Sequence, residues 1–268
     1  MRIYFASDTH LGAKAVGDRL GQEVRFVAWL DKIKDDADAI YLLGDIFDYW
    51  FEYKSVVPKG YVRFLSKLDE LTQKGIDIHI FTGNHDVWMF SYLQQEFGIT
   101  VHTEHMSAVW DNKRFFVGHG DGLGRYDKGY KLLKWIFTCR PIQIAYSWIH
   151  PDLANWIANT WSLLSRKNNS KKTKYHSFRG GDKEIQIKYV NDEERKAGDK
   201  LYDYYIFGHR HILADYESQY GAHVFIIGDW LHNFSYALWD GNSLNLFQVN
   251  KDNPTEEPVL VTDKFSFK

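Results

Sequence analysis

Five short apolar runs, each cut off by glycine or a small polar residue, constrain this chain more than any other feature. Residues 2–7, 39–43, 78–82, 114–117 and 204–207 are each about five residues long and rich in Ile, Val, Phe and Tyr. Runs of that length and composition, stopped so abruptly, read as buried strands. Between the first three lie 22–34 and 59–74, whose apolar residues recur at helical spacing. Alternation of strand and helix predicts an α/β layer fold. In such folds ligand-binding side chains gather just beyond the carboxyl ends of the strands.

The residues at those ends carry the chemistry. The runs lead into Asp8-Thr9-His10, Gly44-Asp45, Gly83-Asn84-His85-Asp86, Gly118-His119-Gly120-Asp121 and Gly208-His209-Arg210-His211. Each piece alone has an ordinary explanation: Gly-Asp is common turn chemistry, and paired histidines often sit satisfied in a core or on a surface. Five successive turns that each begin with a ligand-type residue are a different matter. Asp8, His10, Asp45, Asn84, His119, His209 and His211 mix hard oxygen donors with imidazoles, a set suited to first-row ions such as manganese, iron or zinc. Seven ligands exceed what one such ion takes once water is counted. If one carboxylate bridges, they make two sites with room for water or substrate, and ions held about 3.5–4 Å apart are the usual apparatus for displacement at phosphorus.

Two regions depart from this alternation. An Asp240-Gly241-Asn242 turn between 235–239 and 243–249 predicts a hairpin, and with it a second, partly antiparallel sheet. Residues 250–268 read as a polar tail with one short apolar run. Over 122–174 no strand-like run occurs. Instead there are two helical patterns, separated by Arg140-Pro141 and His150-Pro151 and carrying Trp135, Trp148, Trp156 and Trp161. A basic stretch, Arg166-Lys167-Asn168-Asn169-Ser170-Lys171-Lys172, follows. The expected organisation is one domain over 1–268 with a helical insertion at about 122–175.

Composition removes other classes. With 33 basic and 35 acidic side chains, net charge −2, the chain has no global electrostatic hold on nucleic acid, and no nucleic-acid partner is expected. A single cysteine, Cys139, excludes an intramolecular disulfide and any cysteine-based zinc site. No run approaches the roughly 18 apolar residues of a bilayer-spanning helix. The first apolar stretch turns acidic at Asp8, unlike a signal peptide. The expected location is the cytoplasm.

The five turn motifs resemble those of the calcineurin-like metallophosphoesterases. The resemblance implies a two-sheet β sandwich flanked by helices, with a dinuclear site along one edge. Asp8, His10, Asp45 and His211 would hold one metal, and Asp45, Asn84, His119 and His209 the other, with Asp45 bridging. His85 would act at the substrate, protonating the leaving oxygen or stabilising the transition state, with Asp86 orienting it. Manganese is the expected ion of the pair.

A narrower resemblance is to the UDP-2,3-diacylglucosamine hydrolases, the pyrophosphatases of lipid A synthesis. It rests on the chain length, on Asp127-Lys128-Gly129-Tyr130 after Gly120-Asp121-Gly122-Leu123, and on the aromatic helical insert ending in a Lys/Asn/Ser-rich stretch. It implies a helical lid, contacts from Asp127 and Tyr130 to the glucosamine or its phosphate, and contacts from Asn169, Lys171 and Lys174 on the diphosphate side. Attack at the α-phosphorus of this nucleotide-linked glycolipid would give UMP and 2,3-diacylglucosamine 1-phosphate. The chain departs from the best-known members in having His85 where they place arginine. Two acyl chains need an apolar groove, which a pair of Trp-rich helices over the metal site would supply, although such a stripe is more often plain core packing. Aromatic residues flanked by Lys and Arg also suit peripheral docking on the cytoplasmic face of the inner membrane. The alternatives are a hydrolase of the same site acting on a soluble nucleotide, phosphodiester or phosphoprotein, and a metal-dependent scaffold without turnover.

Overall fold

The computed structural model describes residues 1–14, 16–126, 128–170 and 177–267, with backbone alone over 165–170. Strands β1 (Ile3–Ala6), β2 (Ala39–Leu42) and β3 (Asp77–Phe81) alternate with helices α1 (Arg19–Ile33) and α2 (Val62–Gln73), followed by α3 (Tyr92–Phe97) and β4 (Thr100–His102). Then come β5 (Met106–Trp110), β6 (Lys113–Gly118), α4 (Lys128–Thr138), α5 (Arg140–Ser147), α6 (Pro151–Ser170) and α7 (Ile185–Ala197). The chain closes with β7 (Tyr204–Phe207), β8 (Leu213–Glu217), β9 (His223–Ile227), β10 (Ser235–Trp239), β11 (Leu244–Gln248), β12 (Val259–Leu260) and β13 (Ser266–Phe267).

Two mixed sheets result, one in the order β12-β11-β10-β1-β2-β3-β4 and the other β13-β8-β9-β7-β6-β5. Period-two alternation decides which side chain goes where. Ile3, Phe5, Ala39, Tyr41 and Leu43 point inward, where they meet Phe115, Val117, Ile206, Phe225 and Ile227 of the other sheet. Tyr4, Ala6, Ile40 and Leu42 point outward onto Phe26, Trp29, Leu30, Phe64 and Leu68 of α1 and α2. Ile187 and Val190 of α7 cover the far face of the second sheet. The layers are therefore helix, sheet, sheet, helix, the α/β sandwich that the motif pattern implied.

Two expectations need correction, and the tail takes on structure that its composition left open. The hairpin β10–β11 does not found the second sheet; β10 pairs antiparallel with β1 inside the first, because all five of its residues are buried and need cover on both faces. The second sheet is built instead on β5 to β9. The polar tail is ordered: β12 pairs with β11 and β13 with β8, so the last residues clamp the two sheets together through buried Val261. The insertion holds three helices, not two. Pro141 and Pro151 stand in the first turns of α5 and α6, where a missing N–H costs nothing, so they start helices as well as ending them. Among the described residues, no helix is long and apolar enough to cross a membrane.

Candidate metal centre and its lid

The strand ends deliver the motif residues into one buried cluster, and the backbone is bent to do it. Among the described residues, nine other than glycine have positive φ; Asp8, His10, Asp45, His209 and His211 are five of them. Residues held in this sparsely populated region cost energy and concentrate at functional sites. Glycines make the approach possible. A Cβ on Gly83 would lie 2.2 Å from Asp45 Oδ1, and one on Gly208 would lie 1.9 Å from Ser7 Oγ.

Each carboxylate is tied through one oxygen and offers the other. Asp8 Oδ2 accepts hydrogen bonds from Ser7 Oγ (2.5 Å) and the His209 N–H (2.8 Å). Its Oδ1 is buried, accepts no hydrogen bond, and lies 3.5 Å from His211 Nε2 and 3.9 Å from His10 Nε2. Asp45 Oδ1 accepts the His85 N–H at 2.8 Å, while Oδ2 stands 3.8 Å from His10 Nε2 and 3.5 Å from His119 Nε2. These separations are too long for hydrogen bonds. They match donors that each sit about 2.0–2.2 Å from a shared cation.

The histidines are held the same way. His119 donates from Nδ1 to the Leu43 carbonyl (2.7 Å), which turns Nε2 toward Asp45 and, at 3.4 Å, toward Asn84 Oδ1. His211 Nδ1 lies 2.8 Å from Asp229 Oδ2, leaving Nε2 for Asp8. His209 Nδ1 is 3.2 Å from His119 Nε2. Asp8, His10 and His211 form one compact donor group; Asp45, His119 and His209 form another; His10, Asp45 and His85 form a third between them. Asp45 thus shares one group with His119 and His209 and another with His10 and His85, and through His10 it adjoins the Asp8 group. A pair of divalent ions fits this set, with Asp8 Oδ1 the clearest sign: a buried carboxylate oxygen that the protein leaves without a hydrogen bond.

Electrostatics show how crowded the cluster is. Burial pushes the Asp8 carboxyl up. Burial works against charge on Asp45 as well, yet His119 and His85 hold its carboxyl well below the usual range. His119 loses by burial and gains more from Asp45, ending at about 10, whereas burial and the neighbouring His119 push His209 down to about 3. Protons and cations compete for such donors, since ligands must be deprotonated to bind a metal.

The expected link from Asp86 to His85 is a correction. The Asp86 carboxylate accepts backbone N–H groups from Gly83 (2.7 Å), Asp45 (3.2 Å), Ile46 (2.7 Å) and Phe47 (3.2 Å). It stitches the second motif turn to the third and does not orient the His85 ring. That ring donates from Nδ1 to the Asp48 carbonyl (3.0 Å), with Asp48 Oδ1 3.6 Å from Nδ1 of His85 and 3.5 Å from Nδ1 of His10. The motif pattern does not single out Asp48 or Asp229, which the fold brings to the cluster. Both carried a usable signal: Asp48 is a second carboxylate three residues after Asp45, and Gly228-Asp229 follows an apolar run exactly as Gly44-Asp45 does.

The insertion sits on residues that follow the motifs. Asp121 accepts a hydrogen bond from the Tyr130 hydroxyl and pairs with Lys134 at 2.7 Å, both on α4. The Tyr130 ring centroid is 6.2 Å from that of His209, so this residue of the substrate set does border the cluster. Trp88 Nε1 donates to the Phe137 carbonyl, and Tyr49, Phe51 and Trp88 pack with Phe137 and Tyr146. Asp127, Lys171 and Lys174 lie outside the described residues, as does the Asn169 side chain.

The lid does not bury its tryptophans in a core of its own. Trp135, Trp148, Trp156 and Trp161 are 64, 86, 61 and 60% exposed. Helix α6 is amphipathic in the inverted sense: Ala154, Asn159 and Ser162 are buried, while Leu153, Trp156, Trp161 and Leu164 face out. The inward face carries small and polar residues, and from it Ser162 hydrogen-bonds to Asp48.

Known proteins carry the same pattern. The chain is 39% identical over 252 residues to a UDP-2,3-diacylglucosamine hydrolase of Porphyromonas gingivalis, covering 91% of this chain and 96% of that protein. It is 26% identical over 260 residues to a UDP-2,3-diacylglucosamine hydrolase of Shewanella baltica, covering 95% and 100%. Residues 1–213, which span all five motif turns and the lid, match the calcineurin-like phosphoesterases. By sequence, by layer order and by the donor cluster at its strand ends, the chain belongs to the calcineurin-like phosphoesterase family.

Proposed function

We propose that this chain hydrolyses the diphosphate of UDP-2,3-diacylglucosamine to UMP and 2,3-diacylglucosamine 1-phosphate. The observation that carries this reading is the Asp45 carboxylate, grouped with His119 and His209 and also with His10 and His85, beside a lid whose outer face is apolar. The two relatives named for this hydrolase activity, matched over more than nine-tenths of the chain, support the same substrate.

Asp8, His10, Asp45 and His211 would hold one ion and Asp45, Asn84, His119 and His209 the other, with manganese the expected metal and iron or zinc compatible with the same donors. Divalent ions there supply Lewis acidity toward the phosphoryl oxygens and lower the pKa of water. The chain contributes position and a proton. His85, with Nδ1 fixed by the Asp48 carbonyl, has Nε2 available for the bridging oxygen as its bond to the α-phosphorus breaks and the sugar phosphate departs. Tyr130 borders the cluster from the lid, and we assign it, with Asp127, Asn169, Lys171 and Lys174, to the glucosamine phosphate and diphosphate.

The exposed tryptophans, with Arg125 and Lys128 exposed nearby, suit a protein that rests on the anionic cytoplasmic face of a membrane while drawing a lipid from it. Changing Trp148, Trp156 and Trp161 together to Ser should abolish sedimentation with anionic vesicles. The main test is UMP release from the glycolipid in mixed micelles with added manganese. Steady UMP production is the expected result. No UMP with manganese, iron or zinc, from protein that still cleaves an activated aryl phosphodiester, would overturn the substrate and leave a phosphoesterase for soluble compounds.

A further inference from the structure

Ser162 is the one α6 side chain that reaches the residues around the cluster by a direct hydrogen bond among those described. Its hydroxyl lies 3.2 Å from Oδ1 and 3.1 Å from Oδ2 of Asp48, and both residues are buried, at 4 and 5% exposure. Asp48 in turn faces Nδ1 of His10 and holds Nδ1 of His85 through its carbonyl. The route from α6 to the centre is therefore two contacts long and passes through the buried Asp48.

The composition of α6 is organised around this contact. Ala154, Ala158 and Ser162 are spaced by four residues and so share one helix face. That face is small throughout, which lets the helix approach the loop after β2 closely. The neighbouring anchors, Tyr49 Oη to Tyr146 Oη at 3.2 Å and Trp88 Nε1 to the Phe137 carbonyl at 2.8 Å, fix the lid to residues beside the cluster but touch none of its donors. Without the Ser162 hydroxyl, the Asp48 carboxylate would lose a buried hydrogen-bond donor, and its place beside the histidines would no longer be fixed from the lid.

We infer that Ser162 is a positioning residue that couples the seating of the lid to the orientation of His85 and His10, acting through Asp48. With the lid seated, the Asp48 carboxylate is shared between Ser162 and the histidines, and the His85 ring stands ready. When α6 lifts to admit a bulky acylated substrate, that contact breaks and the Asp48 carboxylate, 3.5 Å from His10 Nδ1 and 3.6 Å from His85 Nδ1, shifts relative to both rings until the lid returns. Turnover is thus tied to closure over a bound substrate. The inference deepens the proposed hydrolase reading and rests on it for the substrate, but one arm of its test does not need that substrate.

The test compares Ser162→Ala with Ser162→Thr, which keeps the hydroxyl. Steady-state hydrolysis of the glycolipid is measured together with manganese affinity by titration calorimetry. Ser162→Ala should lower kcat roughly tenfold with KM changed less than twofold, and weaken manganese binding roughly threefold, because the lost bond is one to a charged group. Ser162→Thr should restore both. In Asp48→Asn, adding Ser162→Ala should cost nothing further, since the two act as one unit. Unchanged kcat and unchanged affinity in Ser162→Ala would overturn the coupling. So would losses that threonine does not restore, or that add to those of Asp48→Asn. If the wild-type protein released no UMP, the substrate reading would fail alone, and the manganese titrations would still decide the role of Ser162.

Discussion

His211 and Asp229 are joined by a 2.8 Å contact between Nδ1 and Oδ2, and Asp229 is completely buried. The same carboxylate accepts backbone N–H groups from Leu231 (3.2 Å), His232 (2.8 Å) and Asn233 (2.8 Å) through Oδ1. Burial opposes its charge, but His211 and His232 beside it hold its carboxyl well below the usual range. Asp229 is thus a fixed anion that orients His211 with Nε2 toward Asp8. Such outer partners of a ligand histidine set both its tautomer and its basicity. Asp229→Asn should therefore weaken metal binding by about 10–100-fold while leaving the fold in place. Calorimetric titration with manganese, alongside circular dichroism, checks this; unchanged affinity would show that His211 needs no such support.

His85 and Asp86, adjacent in the chain, should respond differently to substitution. His85 is part-buried with Nδ1 bonded to the Asp48 carbonyl, and as a proton donor its loss in His85→Ala should cost about 10²–10⁴-fold in kcat with normal metal content. Asp86 binds four backbone N–H groups and is wholly buried, so Asp86→Ala leaves those donors unpaired. Its effect should appear first as a lower melting temperature and loss of metal, because the turn carrying Asp45 is no longer tied to Gly83. Normal stability in Asp86→Ala, with a rate loss equal to that of His85→Ala, would restore the orienting role that the geometry withdraws.

A pH dependence of stability should come from the second sheet, at the edge of the face that carries Phe225 and Ile227. His223 Nδ1 is 2.9 Å from Asp215 Oδ1 on the neighbouring strand β8, and this hydrogen bond raises the His223 pKa above its ordinary value. A raised histidine stabilises the folded state fully below the unfolded value of about 6.5, and the contribution fades as pH rises through the higher folded value. Because the ring is substantially exposed, solvent screens the pair and the effect is small. Urea unfolding of metal-free protein should show His223→Gln less stable than wild type at pH 5.5, with the gap closing at high pH. A gap that stays constant with pH would assign the difference to packing against Tyr204 instead.

Much of this architecture was legible because the information was local. Each inner strand announced itself by an apolar run and a glycine stop, and the ligand residues stood immediately after. What the sequence concealed was non-local. The partner of β10 depends on burial on both its faces, which the Asp-Gly turn does not specify. The tail gained structure only by finding free edges on both sheets. Asp48 lies three residues from Asp45, yet its hold on His85 depends on a turn from the next strand. The tryptophans of the insertion had an amphipathic pattern, but a pattern alone does not say which face turns inward. The small residues at Ala154, Ala158 and Ser162 settle that.

The account depends above all on Asp45 serving both donor groups. Elemental analysis of purified Asp45→Ala beside wild type, after loading with manganese and gel filtration, measures this most directly. Two ions per wild-type chain and close to none in the variant are predicted. A variant that retained near two would place the ions elsewhere and contradict the shared carboxylate.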